Sequence, residues 1–239
     1  MLAASGRPSG DLVAWVAETK LDGWRVQLTI GDTVSVRTRN DHPIDQYLPE
    51  LRPLQAVGCP LVLDGELVAG AGRCDDFYGI TGQLTARTNR PALTFVAFDL
   101  LWLDGYDLTG LPYEDRRRFL VDLELPTPAV VVNQYDAGDL DEVLAACETH
   151  GVEGVMLKRR DSAYRPGERC DTWRKVKCPS WRAHAERRRI GRWSDPALSV
   201  PGSTASMGRR GRKARPHGLS EPWRWPGGHE RVGRLRWQE

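Results

Sequence analysis

Residues 25–39 constrain the fold more than any other stretch of this chain. Val26, Leu28 and Ile30 alternate with Arg25, Gln27 and Thr29, and Val34, Val36 and Thr38 alternate with Ser35, Arg37 and Arg39. Two runs of period two around Gly31-Asp32 read as a β-hairpin with one buried face. A two-residue turn would pair Ile30 with Thr33 and set Val26 beside Arg37, mixing the faces. A three-residue loop over 31–33 pairs Ile30 with Val34 and Leu28 with Val36, and keeping the apolar face together selects it. That register sets Arg25 roughly opposite Arg39. Like charges facing across a sheet repel. Either the two guanidiniums splay into solvent, or they hold an anion such as phosphate between them.

Around the hairpin the chain reads as strands and short helices. Residues 1–13, with Gly6, Pro8 and Gly10, form an irregular lead-in, and Ala14 to Thr19 form a strand that delivers Lys20 at its end. Ile44, Tyr47, Leu48, Leu51 and Leu54 have helical spacing, which Pro49 limits to short pieces. Leu61 to Val68 is a strand with Glu66 in its apolar half. A carboxylate there is costly unless solvated or paired, so Glu66 either faces water from an edge strand or contacts a ribose or a metal. Leu93 to Trp102 is a buried strand with Asp99 inside it. Pro112 opens a helix as its first residue, with Phe119, Leu120 and Leu123 as its stripe. Asp139 and Glu142 make a capping-box-like start to a second helix, whose Leu140, Val143, Leu144 and Cys147 face inward and which Gly151 closes. Strands follow at Glu153 to Lys158 and Thr172 to Cys178. Period two puts Trp173, Lys175 and Lys177 on one face, and a tryptophan among lysines marks a partly covered site. Glu153 and Lys158, five residues apart, fall on opposite faces unless the chain bends near Gly154.

Composition narrows the class. Of 239 residues 40% are apolar, enough for a core. No apolar run approaches the ~20 residues of a membrane span, and no basic and apolar leader opens the chain. Cys59, Cys74, Cys147, Cys170 and Cys178 are odd in number and form no Cys-x-x-Cys, which fits a reducing cytoplasm rather than a disulfide framework or a zinc site. The net charge of +2 hides a break: residues 180–239 hold 14 Lys+Arg against 5 Asp+Glu and five of the nine tryptophans. The boundary is therefore set near 180, with a domain over 1–179 and a basic Arg/Gly/Pro/Trp-rich tail over 180–239.

The chemistry centres on Glu18-Thr19-Lys20-Leu21-Asp22-Gly23-Trp24-Arg25. The chain carries no P-loop and no dinucleotide fingerprint, and its five histidines are scattered. Lysines, arginines and isolated carboxylates on strands remain. These suit nucleotidyl transfer by covalent catalysis, since a lysine attacks when its amine is neutral and neighbouring cations or desolvation favour that form. Lys175, Lys177 and the arginine pair supply such a field. Glu66 and Glu153 are oxygen donors of the kind Mg²⁺ takes, and Phe98 is an aromatic face for a purine.

Six stretches in this order, Glu18–Arg25, Thr38-Arg39-Asn40, Asp64-Gly65-Glu66, Phe95–Leu101, Glu153–Lys158 and Trp173–Lys177, resemble the ordered motifs of the covalent nucleotidyltransferases, most closely the ATP-dependent DNA ligases of bacterial type. Met1-Leu2-Ala3, Tyr113–Arg117 and Tyr164-Arg165-Pro166-Gly167 also resemble that family, so the similarity covers roughly 1–179. The resemblance implies an α+β fold, an ATP-grasp-like nucleotidyltransferase domain of antiparallel sheets flanked by helices. It implies that Lys20 takes AMP from ATP as a phosphoramidate and passes it to the 5′-phosphate of nicked double-stranded DNA, in repair, recombination or replication. By the same resemblance Glu18 reads the adenine edge, Arg25 contacts the ribose, and Arg39 serves the nucleotide phosphate and the DNA 5′-phosphate. Glu66 binds ribose or Mg²⁺, Phe98 stacks on adenine, Glu153 holds metal, and Lys158, Lys175 and Lys177 neutralise phosphates. The expected protein is a cytoplasmic monomer with no membrane contact.

In that family an oligonucleotide-binding barrel follows the last motif. Here Gly191-Arg192-Trp193-Ser194-Asp195-Pro196 faintly resembles its opening, and beyond it there is no run of the about five alternating strands a small barrel needs. The expectation is an irregular tail, of the composition a frameshift would give, and a catalytic core impaired by loss of the barrel. Two competing readings are an RNA-joining or mRNA-capping nucleotidyltransferase and a non-catalytic remnant that binds nucleotide.

Overall fold

A computed structural model of the chain describes residues 1–69 and 93–181. Expectations for Cys74 and for the tail beyond Trp181 lie outside the described residues. In chain order the strands are β1 (Leu2–Ser5), β2 (Trp15–Lys20), β3 (Trp24–Ile30), β4 (Val34–Thr38), β5 (Leu61–Ala69), β6 (Leu93–Leu103) and β7 (Tyr106–Asp107). Helix α1 (Tyr113–Asp122) follows, then β8 (Ala129–Val131), β9 (Gln134–Asp136), helix α2 (Leu140–Thr149), β10 (Gly154–Arg159) and β11 (Arg169–Lys177).

These strands make two sheets. One has the order β1-β11-β10-β2-β9; the other has the order β4-β3-β5-β6-β7, with β8 added alongside β6. Pairing is antiparallel except for β1 on β11 and β8 on β6. The hairpin takes the three-residue loop, with Ile30 opposite Val34 and Leu28 opposite Val36. Burial follows: Val26, Leu28, Ile30 and Val36 are buried and Gln27 is exposed. On that apolar face lie Leu63, Phe95, Leu120 of α1, and Leu51 and Leu54 of a 3₁₀ segment, Pro49–Val57. Ile44 and Leu48 are buried with them, whereas Tyr47 is exposed. Helix α2 packs Leu140 and Cys147 on Ala17, Val155 and Leu157 of the other sheet. Met1, Leu101, Tyr164 and Trp173 form a third cluster that joins the two sheets at their facing sides.

Several expectations need correction. Leu2–Ser5 is a strand rather than part of an irregular lead-in; Leu-Ala-Ala-Ser lacks polar contrast, and β11 organises it as a parallel neighbour. The edge-strand reading of Glu66 fails because β5 lies between β3 and β6. Asp139 makes no side-chain cap to α2; Asp136 accepts from the Gly138 amide at 2.8 Å instead and starts the preceding 3₁₀ turn. Pro112 is the residue before the first turn of α1 rather than its first residue. Arg25 is not a splayed, solvated arginine: Asp64 accepts from its Nε at 3.0 Å and from an Nη at 2.6 Å. Arg39 lies just past β4 and is exposed.

Among the described residues one ion pair has no solvent access on either side chain. Arg116 of α1 donates to the two Asp99 oxygens at 2.7 and 2.9 Å, and to the carbonyls of Leu111 and Ser162 at 2.6 and 2.9 Å. This locks α1 and the loop after β10 to β6. Removing one member of such a pair leaves a buried charge alone, which costs about 3–5 kcal/mol. Arg116→Ala is therefore expected to lower the unfolding free energy by about that amount in urea titrations. A loss below about 1 kcal/mol, the scale of an exposed pair, would contradict this role.

Candidate active site

The facing sides of the two sheets enclose a cleft of about 250 Å³. One wall is built in three rungs by strand register. Lys20, Gly154 and Lys177 form the first, Glu18, Met156 and Lys175 the second, and Val16, Lys158 and Trp173 the third. Period two sends each of these residues to the cleft side while Ala17, Val155, Leu157 and Val176 face α2.

Glu153 does not obey that alternation. It precedes β10, and Gly154 follows it at φ +149°, a left-handed conformation that L side chains rarely adopt. A Cβ at Gly154 would also strike the Val176 carbonyl. The glycine turns Glu153 into the cleft, where its carboxylate pairs with Lys20 on one oxygen and with Lys177 on the other, the latter at 2.6 Å. The parity conflict between Glu153 and Lys158 is resolved by this bend.

On the second rung Glu18 is 2% exposed. Lys158 Nζ lies 2.8 Å from its Oε2, and the Tyr113 hydroxyl donates to its Oε1. Lys158 also donates to the Phe98 carbonyl at 2.7 Å, and the rings of Phe98, Tyr113 and Trp173 surround it with centroids 4.8, 4.8 and 4.3 Å away. Burial pushes the Lys158 ammonium below its ordinary range against the pull of Glu18. Burial, followed by the Glu18 charge, raises the Tyr113 hydroxyl well above its ordinary range.

The opposite wall comes from the hairpin sheet. Arg25 stands opposite Glu66 in register, and Phe98 lies beneath the Arg25 guanidinium at 5.5 Å. Burial opposes the Arg25 charge, yet Asp64 outweighs it and the net shift is upward. Tyr164 completes this corner: its hydroxyl donates to Asp64 at 2.7 Å and accepts from Arg25 at 3.3 Å. Burial raises the Glu66 carboxyl to about 7, although Lys20 and Arg25 pull it down. Lys175 is lowered by burial and then by Lys177, Lys20 and Arg169.

The cleft thus gathers Glu18, Lys20, Arg25, Arg39, Glu66, Phe98, Lys158 and Lys175 along its lining, and Lys177 reaches it through Glu153. Tyr113, Asp64, Tyr164 and Arg169 belong to the same surroundings; the first three fall in the stretches that carry the family resemblance but were given no role from sequence, and Arg169 was not singled out. A signal was available: the chain has five lysines against 29 arginines, and the four among the described residues all stand at this cleft. Glu66 and Glu153 are carboxylates, the type of oxygen donor that a magnesium ion can take. Among the described residues no group of three or more His, Cys, Asp or Glu gathers to form a protein cage for a metal.

Comparison with known proteins agrees with this architecture. The family model described as ATP dependent DNA ligase domain matches residues 10–177. The multifunctional non-homologous end joining DNA repair protein LigD of Mycobacterium tuberculosis is 37% identical over 183 residues, covering 74% of this chain and 23% of that protein. A probable DNA ligase of Saccharopolyspora erythraea is 37% identical over 197 residues, covering 72% and 38%. The crystal structure of the ligase domain of M. tuberculosis LigD superposes with a TM-score of 0.61 at 34% identity, over 74% of this chain and 58% of that one. A mycobacterial DNA ligase D complexed with ATP and MES gives 0.57 at 33%, over 74% and 60%. The chain belongs to the ATP-dependent DNA ligase domain family, and it spans roughly a quarter to two-fifths of the length of these two curated relatives.

The raised Glu66 carboxyl has a measurable consequence. Between its ordinary 4.5 and about 7 the folded chain binds the proton more tightly than the unfolded chain. Its contribution to stability therefore falls as pH rises through that window. In chelator-containing buffer, wild type is expected to lose stability relative to Glu66→Gln from pH 4.5 to 7, with the difference constant above 7, as read by urea titration at each pH. A difference that stays flat, or runs the other way, contradicts the assignment.

Proposed function

We propose that the chain is the adenylation core of an ATP-dependent DNA ligase and that Lys20 is its nucleophile. The observation that carries this reading is the placement of Lys20. It ends β2 inside the cleft, with its amine held by Glu153 and flanked by Lys175 and Lys177. In the first step the amine, one proton passed to solvent, attacks the α-phosphorus of ATP and gives up a second to solvent as the phosphoramidate nitrogen forms. The N–P bond forms as the bond to the bridging oxygen breaks, and pyrophosphate leaves with the electron pair. Glu153 orients Nζ, and Lys175 and Lys177 meet the phosphate charge that builds up. Glu18 faces the adenine edge, Phe98 packs on its face, and Arg25, fixed by Asp64, meets the ribose. When bound, Mg²⁺ would be held by Glu66 and Glu153 and would neutralise phosphate charge.

AMP then passes from Lys20 to the 5′-phosphate at a DNA nick, and the adjacent 3′-OH displaces it. Arg39, exposed at the cleft just past β4, suits the DNA phosphate. Residues 180–239, with their 14 cations, suit non-specific attraction to the duplex.

Intact-mass measurement after incubation with ATP and Mg²⁺ is expected to show one AMP per chain, and none in Lys20→Ala. An adduct that persists in Lys20→Ala refutes the assignment, and an adduct formed from GTP in preference to ATP favours a capping-type enzyme.

Arg39→Ala is expected to slow sealing of a pre-adenylated nick by about ten- to a hundredfold, the worth of one charge-assisted phosphate contact, with a smaller change in ATP affinity. Weak ATP binding with normal sealing would place Arg39 on the nucleotide instead.

A further inference from the structure

Glu18 is held from two directions by groups that are themselves immobilised. Lys158 takes one oxygen, and its ammonium is already engaged by the Phe98 carbonyl and surrounded by three rings. Tyr113 takes the other. Tyr113 is fully buried in the first turn of α1, and the Arg116 guanidinium backs its ring at 5.8 Å. Gln134 stands directly opposite Glu18 across β2 and β9, and its amide donates to the Tyr113 oxygen at 3.2 Å. A phenol has one proton. With Gln134 supplying a donor, that proton goes to Glu18.

We propose that Tyr113 is a positioning residue that sets base selectivity in the cleft, by fixing Glu18 as a hydrogen-bond acceptor for the 6-amino group of a purine. The inference rests on the adenylation reading above. A carboxylate gripped by an ammonium and a phenol offers the cleft only acceptor lone pairs. Adenine presents a donor at position 6 and forms a bond. Guanine presents a carbonyl oxygen there and meets repulsion. Lys158 is not free to rescue guanine, because its contacts lie with Glu18, the Phe98 carbonyl and the surrounding rings. Without the phenol proton, Glu18 is held on one side only. It can rotate and lose its aim, which weakens the preference for adenine over guanine. The shape of the slot, made by Val96, Met156 and Phe98, is unchanged by that loss.

Tyr113→Phe removes one oxygen and keeps the ring. Self-adenylation of the full chain is followed with ATP, with GTP and with purine riboside triphosphate, which has hydrogen at position 6. The variant is expected to raise KM for ATP about tenfold, the worth of a hydrogen bond to a charged group. The ATP:GTP preference falls by a similar factor, KM for purine riboside triphosphate stays near its wild-type value, and kcat changes less than KM. An unchanged ATP:GTP preference, an equal loss with all three nucleotides, or a loss confined to kcat overturns the proposal. Should Tyr113→Phe fail to fold, Gln134→Leu removes the donor that steers the phenol proton, and the same shift in preference, smaller in size, is expected. Should wild type form no adduct, the adenylation reading fails by itself. Calorimetric binding of the same three triphosphates to wild type and variant then decides the role of Tyr113.

Discussion

The carboxylate of Glu153, shared by Lys20 and Lys177, is the interaction on which the site depends. It brings the ends of β2 and β11 to one point across β10. It exists only because Gly154 can adopt φ +149° and let β11 approach closely enough that a Cβ would strike the Val176 carbonyl. Any other residue there would be strained at that φ and would crowd the Val176 and Lys177 backbone of β11.

The same device recurs through the described residues. Four carboxylates with 4% exposure or less each pair with a cation: Glu18 with Lys158, Asp64 with Arg25, Asp99 with Arg116, and Glu153 with its two lysines. Buried ion pairs are weak sources of stability, because desolvation offsets most of the attraction. Their concentration between two sheets is better understood as positioning. Asp99 and Arg116 fix α1, and α1 presents Tyr113 to Glu18. Asp64 and Tyr164 fix Arg25. Glu153 fixes Lys20. The apolar clusters on the outer faces of both sheets supply the stability that makes this arrangement tolerable.

Much of this was legible in the sequence where one face is apolar and the other is not. The register of β3 and β4 followed from keeping Val26, Leu28 and Ile30 together, and Trp173, Lys175 and Lys177 fell on one face by counting. The motif stretches led to Lys20, Glu18 and Phe98 through resemblance. What was not legible depends on non-local partners. β1 has no periodic contrast and is defined by β11 beside it. Arg25 looked solvated or phosphate-bound until Asp64, 39 residues later, took two of its donors. Tyr113 meets Glu18 across 95 residues, a contact no local pattern announces. Glu153 was placed on a strand, with a bend near Gly154 as the one way for it to share a site with Lys158, and the structure shows that bend at φ +149°.

The central claim is that this fold singles out one lysine among the four at the cleft. Tandem mass spectrometry of peptides from the chain incubated with ATP and Mg²⁺ tests it most directly. The account predicts the mass of AMP on Lys20 alone, lost in acid as a phosphoramidate is. AMP on Lys158, Lys175 or Lys177, with Lys20 unmodified, would contradict it.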